Sequence, residues 1–227
     1  MPAGTLASLA QIGCDVVGTA PGAWGSAHLP GCQSVMVVGN GGDALWEAFV
    51  AWVADDPRRL DLDHPLDRFV AAHLPADTPT ERWIACSALS PVHLDFRGLA
   101  LAAGLGYESR LGLILHPRFG PWWGLRAACL TTEALPTTGP LAGQGPCYAC
   151  AAPCVSACPA KAFDDGPWHA RRCLAWQAAE TSCGSGCVSR VACPAGAEYR
   201  YSELQHTWHH TTSLGRVRLA QHLGTRA

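Results

Sequence analysis

The chain has 227 residues, 48% of them hydrophobic and 15% charged, with a net charge of −2 when its ten histidines are neutral. That balance excludes a disordered chain, and basic residues scattered without a stripe give no electrostatic footprint for a nucleic acid. No apolar run approaches the roughly 20 residues of a membrane span, and residues 1–14 have neither the basic start nor the apolar centre of a secretory leader, so a soluble cytoplasmic protein with no membrane partner is expected.

In chain order, a short helix is predicted over 5–12. Ser34-Val-Met-Val-Val38 is a β-branched run between Gly31 and Gly39 and predicts a buried strand. Gly39-Asn-Gly-Gly-Asp43 follows, with Asp43 placed to cap a helix over 44–54. Strand, glycines and helix together suggest a phosphate loop, but there is no Gly-Lys-Ser/Thr and no dinucleotide spacing, so the stretch reads as a tight turn. Further helices are predicted over 65–73 and 93–103, the second enclosing Asp95 and stopping at Gly104. Strands are predicted over 82–86, 111–115 and 123–131, the last two joined through His116-Pro-Arg-Phe-Gly120-Pro.

Helices interleaved with four strands imply an α/β domain, a mixed sheet with flanking helices, over 1–136. Residues 136–145, rich in Pro, Gly and Thr, read as the linker into a small cysteine-rich domain over 137–200. Residues 201–227 form a tail, helical near its end. Its His206, His209, His210 and Trp208 resemble a metal patch, but no carboxylates accompany them, and packing on the cysteine-rich domain is the preferred reading.

Eight of the twelve cysteines fall within residues 147–194, in the runs CYACAAPCVSACP, ARRC and CGSGCVSRVACP. The first resembles the bacterial ferredoxin run, in which three thiolates hold one [4Fe-4S] cluster and the fourth, before proline, crosses to a second. Cys158 precedes Pro159 and Cys193 precedes Pro194, so two half-motifs each end in Cys-Pro. A cubane needs four soft thiolates, and a tight loop can supply three of them but cannot reach the fourth. Exchange of the Cys-Pro cysteines therefore assigns Cys147, Cys150, Cys154 and Cys193 to one cluster, and Cys158, Cys173, Cys183 and Cys187 to the other. Cys173 stands ten positions before Cys183, and the Cys150-to-Cys154 gap is one residue longer than the standard run. Two zinc sites are the competing reading; paired Cys-Pro endings favour iron and sulfide. Disulfides are disfavoured in a reducing cytoplasm. Cys14, Cys32, Cys86 and Cys129 read as small buried hydrophobes.

Gly104-Leu-Gly-Tyr107, Leu113-Ile-Leu-His-Pro-Arg-Phe-Gly120, Trp122-Trp-Gly-Leu and Leu130-Thr-Thr-Glu-Ala-Leu-Pro136, followed by the double cysteine motif, resemble the iron-sulfur family of epoxyqueuosine reductase. A more distant likeness is to the carboxyl-terminal part of reductive dehalogenases. The resemblance implies an α/β domain that binds cobalamin beside a ferredoxin-like module with two [4Fe-4S] clusters, in which electrons pass between clusters to cobalt(II) and make the cobalt(I) nucleophile. It places Tyr107, His116, Phe119 and Trp122 against the corrinoid. It also implies a redox partner protein or reductant, and a small-molecule substrate or corrinoid to act on; the alternative is a dicluster electron carrier that docks on a partner enzyme without cobalamin. Two elements depart from the family. Ser90 stands where the acidic proton donor is expected, and Glu108-Ser-Arg-Leu111 replaces a Gly-Lys-Asn element. A missing general acid commonly costs about two to four orders of magnitude, so reduction of epoxyqueuosine in tRNA is not expected.

Overall fold

In the computed structural model, residues 3–164, 166, 168–179 and 183–224 are described. They form two compact units, Met1–Gly106 with Trp123–Ala142, and Tyr107–Trp122 with Gly143–Ala227. The second unit takes residues 107–122, which the sequence reading places in the first domain, and also takes the tail.

The first unit begins with α1 (Ala3–Gln11) and β1 (Val16–Pro21). The β-branched run becomes β2 (Ser34–Gly41), and Asp43 precedes α2 (Ala44–Asp55) at the N-cap without a capping bond from its side chain. After α3 (Pro65–Ala71), β3 (Glu81–Ala85) and α4 (Phe96–Ala102), the chain leaves the unit and returns as β6 (Trp123–Thr131). The strand order is β1-β2-β6-β3. Every pair is antiparallel, so the sheet is not mixed as the sequence reading has it. The connection from β2 through two helices to β3 is long enough for a parallel crossover. The two strands are nevertheless not neighbours, because β6 runs between them and opposes both.

Apolar periodicity explains the helices. Trp46, Phe49 and Val53 bury one side of α2, and Phe49 and Trp52 meet Phe69 of α3 at ring-centroid distances of 6.0 and 5.4 Å. Val35, Val37 and Val38 of β2 are fully buried, the near-continuous apolar run of a strand covered on both faces. Asp95 lies at the N-cap of α4, where its carboxylate accepts from the Gly98 amide at 2.8 Å, and not inside the helix.

In the second unit, β4 (Tyr107–Glu108) pairs with β5 (Ile114–Leu115). The five-residue strand predicted over 111–115 shrinks to two residues because Gly112 takes a positive φ of 72°. Then follow α5 (Pro153–Ser156), α6 (Ala170–Ala179), α7 (Val188–Ala192), α8 (Glu203–His210) and α9 (Thr212–His222). The unit's core is unusual in containing Cys154 and Cys193 among Leu111, Leu115, Ala152, Ala162 and Phe163. No described helix is long and apolar enough to cross a membrane.

Candidate metal centres

Two short helices position the cysteines. Cys154 lies in α5 and Cys158 just beyond its end, while α7 has Cys187 at its N-cap and Cys193 at its C-cap. The two helices pack on each other. One small cavity, about 30 Å³, is lined by Cys147, Cys150, Cys154 and Cys193. A second, about 400 Å³, is lined by Cys158, Cys173, Cys183 and Cys187. The structure thus gathers the eight cysteines four and four. Each of α5 and α7 contributes one thiol to either side, so the two Cys-Pro cysteines cross between half-motifs.

The electrostatics follow the same division. Burial pushes the Cys154 thiol above its ordinary pKa, and the thiols that add to this are Cys193, Cys147 and Cys150. Burial raises Cys193 too, with Cys147 and Cys150 as its cysteine neighbours. For Cys173, burial is followed by Cys187, Cys158 and Cys183; for Cys187, also raised first by burial, they are Cys183 and Cys158. Thiols held this way become thiolates readily only against a cation. Backbone amides already point at sulfurs in both sets: Ala152 N–H donates to Cys150 Sγ and Ala162 N–H to Cys158 Sγ, each at 3.4 Å.

Among the described residues, no three His, Cys, Asp or Glu side chains converge on a single metal-ion position. What the four thiols of each set share is a cavity. The second unit also carries ten basic against six acidic residues, a net +4, while the first carries six against twelve, a net −6. Two four-thiolate clusters at about −2 each in the oxidised form would offset the excess in the second unit. Donor set and charge both fit such a group.

The tail adds what spacing does not reveal. From α8 and the residue after it, three side chains reach the Cys183-Gly-Ser-Gly-Cys187 loop. His206 Nε2 accepts from the Cys187 amide at 3.2 Å, Thr207 donates to the Ser185 carbonyl at 2.8 Å, and Thr211 donates to the Gly184 carbonyl at 3.0 Å. The clustered histidines are the sequence signal for this contact, which His206 makes.

Tyr107, His116, Phe119 and Trp122 all lie in the second unit and line neither cysteine cavity. Trp122 is 1% exposed, with Tyr201 5.4 Å away and the Arg190 guanidinium 4.9 Å from its ring. Phe119 is buried against His116 and Tyr199. His116 Nδ1 accepts from the Arg118 and Phe119 amides, and burial, with Arg118 adding to it, lowers its pKa to about 4. Tyr107 and His116 keep partly exposed edges. Gly120 and Gly196 pass so close, both at positive φ, that a Cβ on Gly120 would stand 2.0 Å from the Ala195 carbonyl. The His116–Trp122 loop is thereby seated directly behind Cys193-Pro194.

In the first unit Ser90 is consumed locally. Its hydroxyl donates to the Val92 carbonyl at 3.0 Å and accepts from the Val92 amide at 3.3 Å. Burial raises the other four thiols: Cys14 and Cys86 to about 11, Cys129 to about 12, and Cys32 as well.

An antiparallel α/β unit and a unit with two four-cysteine cavities define a two-part, cysteine-rich α/β protein. Its relatives are epoxyqueuosine reductases. The chain is 32% identical over 162 residues to that of Synechococcus sp. (strain CC9605), a match covering 67% of this chain and 47% of the relative. The chain therefore spans about half the length of this curated relative. An epoxyqueuosine reductase solved with an epoxyqueuosine-modified tRNA stem loop shares the fold at a TM-score of 0.55, 16% identity and coverage of 90% of this chain and 67% of that one. The C. elegans B12-trafficking protein CblC shares it at a TM-score of 0.59 and 13% identity, over 97% of this chain and 95% of that one. No family model matches. The resemblance to epoxyqueuosine reductases read from the sequence is thus found again in sequence and in fold.

Proposed function

We propose that this chain is an iron-sulfur redox protein. Cys147, Cys150, Cys154 and Cys193 hold one [4Fe-4S] cluster, and Cys158, Cys173, Cys183 and Cys187 hold a second. The observation that carries the reading is the division of the eight cysteines into two cavities, with Cys193 and Cys158 exchanged between half-motifs. Such clusters, when bound, supply one-electron transfer. The protein's own contribution is to hold eight thiols in an apolar setting and to aim backbone amides at their sulfurs, which sets the potential.

The electron acceptor we propose is a corrinoid, from the likeness to the B12-trafficking fold and to the reductases. Tyr107 and His116 are the half-buried members of their stretch and the ones proposed to face it, whereas Phe119 and Trp122 are buried. With Ser90 tied to Val92, that position offers no proton donor, and the proposed substrate is a small molecule or the corrinoid itself, not epoxyqueuosine in tRNA. The burial of Phe119 and Trp122 favours a second reading, a dicluster electron carrier that docks on a partner enzyme without cobalamin.

The test is anaerobic reconstitution of the full chain, with iron analysis and titration with cob(II)alamin. About eight irons are expected, falling by about half in Cys154→Ala and again in Cys187→Ala. Full iron in both variants would sink the ligand assignment. A saturable base-off spectral shift supports the corrinoid reading; a flat titration at full iron supports the carrier.

A further inference from the structure

The two cysteine sites are not equivalent. In the first, the donors to sulfur are backbone amides: Ala152 to Cys150, Val155 to Cys154 and Ala195 to Cys193. The second has backbone donors too, from Ala162 to Cys158 and from Ser189 and Arg190 to Cys187. It adds side chains. Gln177 Nε2 lies 3.5 Å from Cys173 Sγ, one helical turn away on α6, where residues four apart share a face. Trp168 lines the same cavity as Cys173, and its indole N–H acts as a donor that lowers the Cys173 thiol's pKa against the effect of burial.

The Gln177 amide is held from its other side. Its Nε2 also lies 3.2 Å from His210 Nε2, and the His210 ring hydrogen-bonds the Cys183 backbone. Both contacts of the Gln177 nitrogen are satisfied if it donates twice, once to the sulfur and once to the imidazole. A relay therefore runs from the Cys183 backbone through His210 and Gln177 to Cys173. It bridges the two cysteines that ten positions of sequence separate.

An N–H dipole aimed at a ligand sulfur stabilises the extra negative charge of a reduced cluster and so raises its potential; solvent access acts in the same sense. The second site has more donors and the wider cavity. Resting on the two-cluster reading, we propose that Gln177 and Trp168 are tuning residues that raise the potential of the second site above that of the first, with His210 fixing the Gln177 amide. Electrons held by the protein would then rest at the second site.

The experiment is a redox titration of the reconstituted full chain followed by electron paramagnetic resonance, with iron measured in each sample. The wild type should give two midpoints and about eight irons, and Cys187→Ala should remove the higher midpoint. Gln177→Leu and Trp168→Phe should each shift the higher midpoint to more negative potential and leave the lower one in place, at unchanged iron. An unmoved higher midpoint, or movement of the lower one, overturns the tuning assignment. Should Gln177→Leu lose iron, Trp168→Phe and His210→Phe decide by the same criterion. A wild type with one midpoint and about half the iron overturns the two-cluster reading before any variant is compared.

Discussion

Ala152 donates its amide to the sulfur of Cys150 from a left-handed backbone, at φ 55° and 3.4 Å. This is how the chain absorbs the extra residue between Cys150 and Cys154: the additional position turns back at Ala152, and Pro153 opens α5 behind it. Left-handed alanine costs about 1 kcal/mol, and its buried methyl returns about 0.8 kcal/mol. Ala152→Gly is therefore expected to stay within about 1 kcal/mol of wild type. Ala152→Val, β-branched at positive φ and in a packed site, should cost about 1–3 kcal/mol. Urea unfolding of the three proteins, with iron retention as the second readout, checks both.

The Ala152 turn shows where the sequence is legible and where it is not. Cysteine spacing and the Cys-Pro endings carry enough chemistry to sort eight thiols into two groups, because reach along a loop is a local property. Strands β2, β3 and β6 are legible from β-branched runs for the same reason. β1 is missed because Val16-Val-Gly-Thr-Ala-Pro21 is buried on both faces at Gly18, Thr19 and Ala20 and so shows no alternation, and its residues there are small. Strand 111–115 is over-read because Gly112 looks like any glycine until its φ is known. Antiparallel order depends on β6 entering between β2 and β3 from far along the chain, and no local pattern encodes that. The contact of His206 with Cys187 is likewise tertiary, and its sequence trace was a histidine cluster open to two readings.

Acid should weaken the second unit through His116. Folding lowers the pKa of this ring from 6.5 to about 4, first by burial and then by Arg118, so the folded unit prefers the neutral form. The stabilisation this gives is complete above pH 6.5 and is lost as the pH falls toward 4. Protonation at Nδ1 would also end the bonds from the Arg118 and Phe119 amides. His116→Asn keeps an acceptor without a titrating ring. Its urea midpoint should fall less than that of wild type between pH 7 and pH 4.5, and parallel curves would contradict the assignment.

Arg190 holds α7 to the His116–Trp122 loop. Its guanidinium donates through Nε at 3.1 Å, and through Nη2, to the Pro121 carbonyl, and lies 4.9 and 4.8 Å from the rings of Trp122 and Tyr201. A lysine keeps the charge but loses the planar fork and the stacking. Arg190→Lys is expected to destabilise by about 1–3 kcal/mol and to change the emission of Trp122. Unaltered fluorescence and unfolding would show that the clamp contributes nothing.

Gly186 faces the ring of His206 so closely that a Cβ would stand 2.6 Å from Cε1 and Nδ1. The glycine is therefore required by the histidine, and the histidine is held there because its Nε2 takes the Cys187 amide. Gly186→Ala should push the ring away, unpair the amide and cost about 1–3 kcal/mol. His206→Ala leaves the same amide unpaired and should cost a similar amount. In the double variant the clash is gone and the amide has already been lost, so the two costs should not add. A double-mutant cycle read by urea unfolding is expected to give a coupling of about 1 kcal/mol or more, in the direction of less than additive loss. Additive losses would mean that the Cys183–Cys187 loop is positioned without α8.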